Sequence, residues 1–101
     1  MNKVTKAALE ASIEKWKRNS IAEAPEKYLT GFRDCPLCDL FWDADCIGCP
    51  VFKRTGETGC YGTPYTTAEK ARRPENWDFD GGALARKTAL DEVVFLESLR
   101  E

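Results

Sequence analysis

Hydrophobic positions near the start of the chain recur at the period of an α-helix. Within residues 3–20, apolar side chains stand three to five positions apart and form one stripe: Val4, Ala8, Leu9, Ile13 and Trp16. Glu14 and Lys17 fall off this stripe, at a spacing that pairs opposite charges along a helix. Pro25 and Gly31 then interrupt any continuation. The pattern predicts an amphipathic helix from about Lys3 to Ser20.

A short helix is expected after residue 65. Thr66 or Thr67 is placed to cap it, and Glu69 stands where a capping box with Thr66 needs a carboxylate. The helix would run through Arg72, and Pro74 would stop it.

A longer helical pattern follows the Asp80-Gly81-Gly82 turn and runs from about Ala83 to Leu99. One line of this helix contains Leu84, Thr88, Asp91 and Phe95. Further apolar side chains broaden the face: Leu90, Val93, Val94 and Leu96. A broad apolar face suits packing against the first helix.

Residues 31–64 show neither the helical nor the strand period for more than a few positions. This segment contains all five cysteines, three of the five prolines and five of the seven glycines. Loops and tight turns are expected to dominate, with short strands near residues 40–42 and 51–53. Because so turn-rich a segment buries little apolar surface, a metal ion is the simplest source of order.

The cysteines form two C-x2-C pairs and one later single residue. Cys35 pairs with Cys38, Cys46 pairs with Cys49, and Cys60 follows. A C-x2-C turn directs two sulfurs at one centre, and two such turns complete a tetrahedral site. All-thiolate sites select zinc, so the sequence predicts one Zn²⁺ per chain. The ligands are either the two complete pairs or the set Cys35, Cys38, Cys49 and Cys60.

Other chemistries use the same segment. An iron–sulfur cluster is held by the same four-cysteine set, and a carboxylate of Asp39, Asp43 or Asp45 is an alternative ligand. Redox cycling of a C-x2-C pair is disfavoured because no βαβ pattern surrounds it. The sequence has no histidine, which excludes Cys/His metal sites and Ser–His or Cys–His nucleophile pairs. Four thiolates close a zinc site, so we expect a structural metal and no enzymatic activity.

Charge argues against nucleic acid as the partner. The chain has 15 basic and 17 acidic side chains, a net charge of −2, and residues 34–65 hold five acidic and only two basic ones. Nucleic-acid-binding proteins normally carry basic patches. The alternative of a zinc-dependent nucleic-acid-binding or transcription-modulating protein would depend on the few local basic residues: Lys53, Arg54, Lys70, Arg72 and Arg73.

Large aromatic residues accompany the cysteines: Phe41, Trp42, Phe52 and Tyr61. A metal-fixed loop loses little entropy on binding, so an exposed aromatic on it serves well as an anchor. These four residues are therefore the predicted contacts for a protein partner. No apolar run approaches the roughly 18 residues of a membrane span, and Met1 to Trp16 has no signal-peptide core, which predicts a cytoplasmic location.

Six short motifs follow one another along the chain: SIEKW at 12–16, CPLC at 35–38, CIGCPV at 46–51, TG at 55–56, CYGTPY at 60–65 and FLESL at 95–99. The series resembles a group of small uncharacterised cysteine-rich proteins of tailed bacteriophages and prophages. The resemblance implies that Cys60 belongs with the two C-x2-C pairs, which strengthens its candidacy as a ligand. It also implies a phage accessory protein that acts inside an infected bacterial host, and it implies no particular activity.

These observations combine into one expectation. With 101 residues and 43% apolar composition, the chain fits one domain, spanning residues 1–101. It comprises an N-terminal helix region (1–30), a cysteine metal-binding region (31–65) and C-terminal helices (66–101). The fold class is a small α-dominated, zinc-stabilised domain in which the two terminal helices pack together and an irregular metal-knuckle loop lies between them. The expected function is non-enzymatic: binding and modulating a host macromolecule, first of all a protein.

Overall fold

The described part of the chain is mostly helical. The computed structural model describes residues 1–30, 35–41, 46–57, 60 and 62–100. These ranges contain six α-helices: α1 (Lys3–Asn19), α2 (Pro36–Phe41), α3 (Pro50–Thr55), α4 (Tyr65–Ala71), α5 (Pro74–Asp80) and α6 (Ala83–Glu97). A 3-10 turn at Pro25–Lys27 follows α1, and none of the described residues forms a β-strand. Within these same ranges, no helix has the length and apolar character to cross a membrane.

The two terminal helices pack against each other, as the sequence predicts. Their shared core contains Leu9, Ile13 and Trp16 from α1 and Ala85, Ala89, Val93 and Leu96 from α6. Beyond α6, the Arg100 guanidinium donates to both carboxylate oxygens of Glu10 at 2.6 and 2.8 Å, which ties the end of the described chain to α1. Helix α2 packs against α1, and α4 and α5 pack against α6.

The buried faces of the terminal helices are narrower than the apolar patterns suggest. Val4 belongs to the predicted stripe but is 63% exposed. Leu84, Leu90 and Val94 of α6 are also exposed. The reason is that α1, α4 and α5 cover only one side of α6, so apolar residues on its other side face solvent. Some polar residues are buried instead, among them Ser12, Lys15 and Glu92.

Tyr28 lies at the centre of the core with no exposed surface. Its ring packs edge-on against Trp16 and Trp77, each with ring centroids 5.9 Å apart. Its hydroxyl donates to the backbone oxygen of Ala85 at 2.7 Å. The amide of Asn19 holds the neighbouring backbone, since its Nδ2 donates to the Leu29 oxygen at 2.9 Å and its Oδ1 accepts from the Leu29 N–H at 2.8 Å. The segment after α1 is thereby fixed between the two terminal helices.

The predicted strands in the cysteine segment are wrong. Leu40 and Phe41 lie in α2, and residues 51–53 lie in α3, while Trp42 lies outside the described residues. Both helices begin at a proline, as α5 does at Pro74. Proline is favoured at the first helical position because its ring fixes a helical φ and that position needs no N–H. Pro36 and Pro50, which were interpreted as turn residues, are therefore the first residues of helices. The same holds for Pro74, which was interpreted as the end of the short helix.

The helix predicted after residue 65 exists, but its cap differs from the prediction. Helix α4 begins at Tyr65, before either Thr66 or Thr67. The Tyr65 N–H donates to Oγ1 of Thr63 at 3.2 Å. Glu69 accepts a hydrogen bond from the Tyr65 hydroxyl at 2.8 Å, so it takes no part in a capping box with Thr66. Thr63, which precedes the helix, supplies the polar contact instead.

Candidate metal centre

All five cysteines line one cavity of about 280 Å³. Cys35 precedes α2 and Cys38 lies in its first turn, whereas Cys46 and Cys49 form the turn before α3. Cys60 lies between α3 and α4. The fold therefore brings together the two C-x2-C pairs and the single cysteine that follows them.

The terminal helices form part of the same cavity. Helix α1 contributes Ser12, Lys15 and Trp16, and α6 contributes Glu92 and Leu96. Apolar side chains from the cysteine segment and α4 complete much of the lining: Leu37, Phe41, Val51, Phe52 and Tyr65. The thiols are thus enclosed by the elements that form the hydrophobic core.

The Cys-Pro sequences place two sulfurs beside backbone donors. The N–H of Cys38 donates to Sγ of Cys35 at 3.3 Å. The N–H groups of Val51 and Phe52 act to lower the pKa of the Cys49 thiol, although burial outweighs their effect. The first N–H groups of a helix have no partner within the helix, so they are available to a sulfur that immediately precedes it. Such bonds favour the thiolate, which is the metal-binding form of cysteine.

Burial and the neighbouring thiols raise the pKa values of three cysteines. The hydrogen bond of Cys35 to Cys38, together with burial, raises the pKa of the Cys35 thiol far above its usual value. Cys38 accepts that bond, which lowers its pKa, but its bond to Cys60, its burial and the neighbouring charges of Cys60 and Cys46 raise the pKa to about 12. Burial, followed by the charges of Cys35 and Cys46, also raises the pKa of Cys49. In the absence of a cation, Cys35, Cys38 and Cys49 therefore favour the neutral thiol.

Two of the cysteines have an uncommon backbone conformation. Cys46 has a φ of 67° and Cys60 a φ of 63°, and they are the only non-glycine residues with positive φ in the described ranges. Residues with a side chain seldom adopt this region, and those that do are concentrated at functional sites. Both residues present their side chains to the cavity despite this backbone cost.

The described residues contain no ready-made group of three or more Cys, Asp or Glu side chains placed around a single metal position. The thiols share a cavity without being closed around one point. Of the alternative carboxylate ligands, Asp39 is exposed on α2, while Asp43 and Asp45 lie outside the described residues. The donors that line the cavity are the five thiols and the carboxylates of Glu57, Glu69 and Glu92, and the thiols suit zinc or an iron–sulfur cluster.

The four aromatic residues predicted as partner contacts fall into two groups. Phe41 and Phe52 are partly buried, pack against the core and line the cavity. Trp42 and Tyr61 lie outside the described residues. The cysteine segment also exposes apolar side chains that the sequence analysis did not single out, since Ile47 is 67% exposed and Leu40 is 41% exposed.

Two of the five basic residues considered for nucleic-acid binding donate to other parts of the fold. The Arg54 guanidinium donates to the backbone oxygen of Ser98 at 3.1 Å and to its Oγ at 3.3 Å. Arg72 donates from Nε to the Tyr28 oxygen at 2.6 Å. Lys53, Lys70 and Arg73 are exposed. Arg54 and Arg72 thus have structural contacts that account for their positions.

Sequence analysis missed the polar residues of the cavity wall. Ser12 is 2% exposed, Lys15 is 7% exposed and Glu92 is 3% exposed. Among the described residues, the hydroxyl of Ser12 and Oε2 of Glu92 have no hydrogen-bond partner. A signal was present in the helical pattern, because Glu92 lies one turn from both Ala89 and Leu96 on the buried face of α6. A charged residue on an apolar face indicates a polar environment inside the fold.

Comparison of the chain with protein-family models, with curated proteins and with solved structures gave no match. The geometry and chemistry of the thiol cavity are accordingly the basis for assigning a function.

Proposed function

We propose that the protein is a non-enzymatic, zinc-stabilised binding protein, with one Zn²⁺ per chain held by four of its five cysteines. Its partner is a macromolecule of the bacterial host, in the first place a protein. The motif resemblance described above supports an accessory role for a bacteriophage in the cytoplasm of its host. Nucleic acid is the less favoured partner, because the cysteine segment is acidic and Arg54 and Arg72 already bind backbone carbonyls.

The convergence of all five thiols on one cavity is the observation that supports the metal. Zinc-bound cysteines are deprotonated, and metal binding therefore replaces thiol protons with one doubly charged cation. The backbone N–H of Cys38 already donates to Sγ of Cys35, which is the kind of donor that a coordinated thiolate needs. Since four thiolates leave no open position on zinc, the metal would serve the fold rather than catalyse a reaction.

Metal analysis of the purified protein tests this proposal. We expect close to one zinc per chain, and loss of the metal when Cys35, Cys38 or Cys49 is replaced by serine, because these three belong to both ligand sets. Cys46→Ser and Cys60→Ser form a matched pair: one should retain zinc and the other should not. A metal-free protein, or one containing two or more iron atoms, would contradict zinc.

Partner binding is assigned to the outer surface of the cysteine segment. Phe41 and Phe52 contribute to the cavity wall, so the remaining predicted anchors are Trp42 and Tyr61. Ile47 adds an exposed apolar side chain between Cys46 and Cys49. A metal-fixed turn presents such a side chain in one conformation, which reduces the entropy lost on binding.

Affinity capture from a lysate of the bacterial host, followed by mass spectrometry, tests this surface. We expect Ile47→Ser, Trp42→Ala or Tyr61→Ala to reduce capture of a specific host protein without lowering the melting temperature. Phe79→Ser is the matched control, because Phe79 is 91% exposed on α5, outside the cysteine segment. Loss of capture in the Phe79 variant alone would place the binding surface on the C-terminal helices instead.

A further inference from the structure

Two residues of opposite charge are buried in the wall of the thiol cavity. Lys15 is 7% exposed on α1, and Glu92 is 3% exposed on α6. Among the described residues that line the cavity, Lys15 is the only basic one, whereas Glu57, Glu69 and Glu92 are acidic. The structure therefore places a buried basic side chain in the wall of a cavity that all five thiols line.

The ring of Trp16 restricts the position of the Lys15 ammonium. Nζ lies 5.0 Å from the ring centroid of Trp16, over the ring. Trp16 is itself 3% exposed and packs edge-on against Tyr28 and Tyr65, with centroid distances of 5.9 and 6.0 Å. The indole is therefore held rigidly, and the cation above it has a restricted position within the cavity.

The charge of Lys15 acts on one of the thiols that line the cavity. It acts on Cys35 and on Glu92 in the direction that favours their ionised forms. Four thiolates and one Zn²⁺ carry a combined charge of 2−, and the metal's own charge has to be counted in any such site. A buried centre of this charge is stabilised by a nearby fixed cation, and the structure supplies one at Lys15.

We propose that Lys15 is the counter-ion of the metal centre: a positioning residue that stabilises the thiolate ligands through its charge and does not itself bind the metal. This inference rests on the proposed function. It assigns to α1 a direct part in metal affinity, although all the expected ligands lie between residues 35 and 60. Outer-shell groups of this kind typically change metal affinity by about 10- to 100-fold when they are removed.

Zinc affinity, measured by competition with a chelating dye, tests the role of Lys15. Lys15→Met keeps most of the aliphatic stem and removes the charge, and we expect it to weaken zinc binding by about 10- to 100-fold. Lys15→Arg keeps the charge and should restore affinity to within a few-fold of the original protein. Lys17→Met is the matched control, because Lys17 lies on the same helix with a 48% exposed side chain and pairs with Glu14 at 3.6 Å. It should bind zinc unchanged.

The outcomes separate the two proposals. If the unsubstituted protein takes up no stoichiometric zinc, the proposed function fails and the inference fails with it. If that protein binds zinc and Lys15→Met binds it as tightly as Lys17→Met does, only the counter-ion role is overturned. Should Lys15→Met fail to fold, the double variant Lys15→Met/Glu92→Gln removes both buried charges and carries the same expectation. Equal loss of affinity in the Met and Arg variants would indicate a packing role and also overturn the inference.

Discussion

Glu92 is a carboxylic acid in an environment that disfavours its charge. It is 3% exposed, and its Oε2 has no hydrogen-bond partner within the part of the chain that the structure describes. Burial, followed by the charge of Cys35, raises its pKa to about 7, although Lys15, Thr63 and the Tyr65 N–H act in the opposite direction. A carboxyl group whose pKa is higher in the folded state binds more protons there than in the unfolded chain. Between pH 4.5 and about 7, the free energy of unfolding therefore decreases as the pH rises.

Substitution of Glu92 should remove this pH dependence. We expect Glu92→Gln to be more stable than the original protein by about 1–3 kcal/mol above pH 7, and the difference to vanish below about pH 4.5. Urea unfolding at pH 4, 5, 6, 7 and 8 measures it. Glu14→Gln is the control, since that carboxylate is 60% exposed and its loss should change stability little at any pH. A difference that stays constant with pH would show that Glu92 does not titrate with folding.

At the scale of single residues, the cavity shows which side chains a sequence pattern can predict and which it cannot. The C-x2-C spacing predicts that the cysteines cluster, and the fold gathers all five. Lys15 and Glu92 were not predicted, because helical periodicity treats every charged residue as a solvent-facing one. Their burial follows from contacts among α1, α6 and the cysteine segment, and these three elements are far apart in the sequence. Local spacing therefore identified the thiols but not the charges around them.

Proline and glycine determine where the short helices begin and end. Pro36, Pro50 and Pro74 each occupy the first position of a helix. The sequence analysis associated these prolines with turns or a helix end, which is their other common role, and so it missed α2, α3 and α5. The longer helices α1 and α6 were predictable because each contains several turns of periodic apolar residues. A helix of six or seven residues gives too few periods for that signal, and its capping residues are the better indicator.

Among the prolines and glycines at the helix ends, Gly82 is the most sterically constrained. Its φ is 84°, and a Cβ added to it would lie 2.5 Å from two ring atoms of Trp77. Trp77 is 5% exposed and packs edge-on against Tyr28, so the ring has no room to move. Gly81 has a similar φ of 67°, but a Cβ there meets nothing within 4 Å.

The two glycines form a matched pair for the start of α6. Gly81→Ala should cost about 1 kcal/mol, from the left-handed backbone alone. Gly82→Ala adds a clash with the core and should cost about 3 kcal/mol or more. Thermal and urea unfolding of both variants measures the difference. Equal losses of stability would mean that the backbone conformation, and not the contact with Trp77, requires glycine at position 82.

At the scale of the whole molecule, two parts of the protein meet at the thiol cavity. One is the core of the terminal helices, and the other is the cysteine segment, which the proposed zinc would stabilise. The terminal helices, with α4 and Tyr28, contribute most of the aromatic and aliphatic core. The segment between them has two six-residue helices, which are too short to be stable in isolation. Cys46 and Cys49 connect the two parts, because they are buried within the core cluster and also line the cavity. The cysteine segment should therefore depend on the metal much more than α1 and α6 do.

Metal removal is expected to unfold the molecule in part. Structural zinc contributes on the order of 10 kcal/mol of apparent binding energy, comparable to the whole stability of a small domain. After treatment with a strong chelator, residues 31–65 should lose their order while α1 and α6 keep most of the far-UV circular dichroism signal. The melting temperature should fall, and added zinc should restore it. Lys15→Met, which retains all five thiols, should need less chelator to reach the same state. Unchanged melting after metal loss has been verified by elemental analysis would show that packing alone holds the cysteine segment.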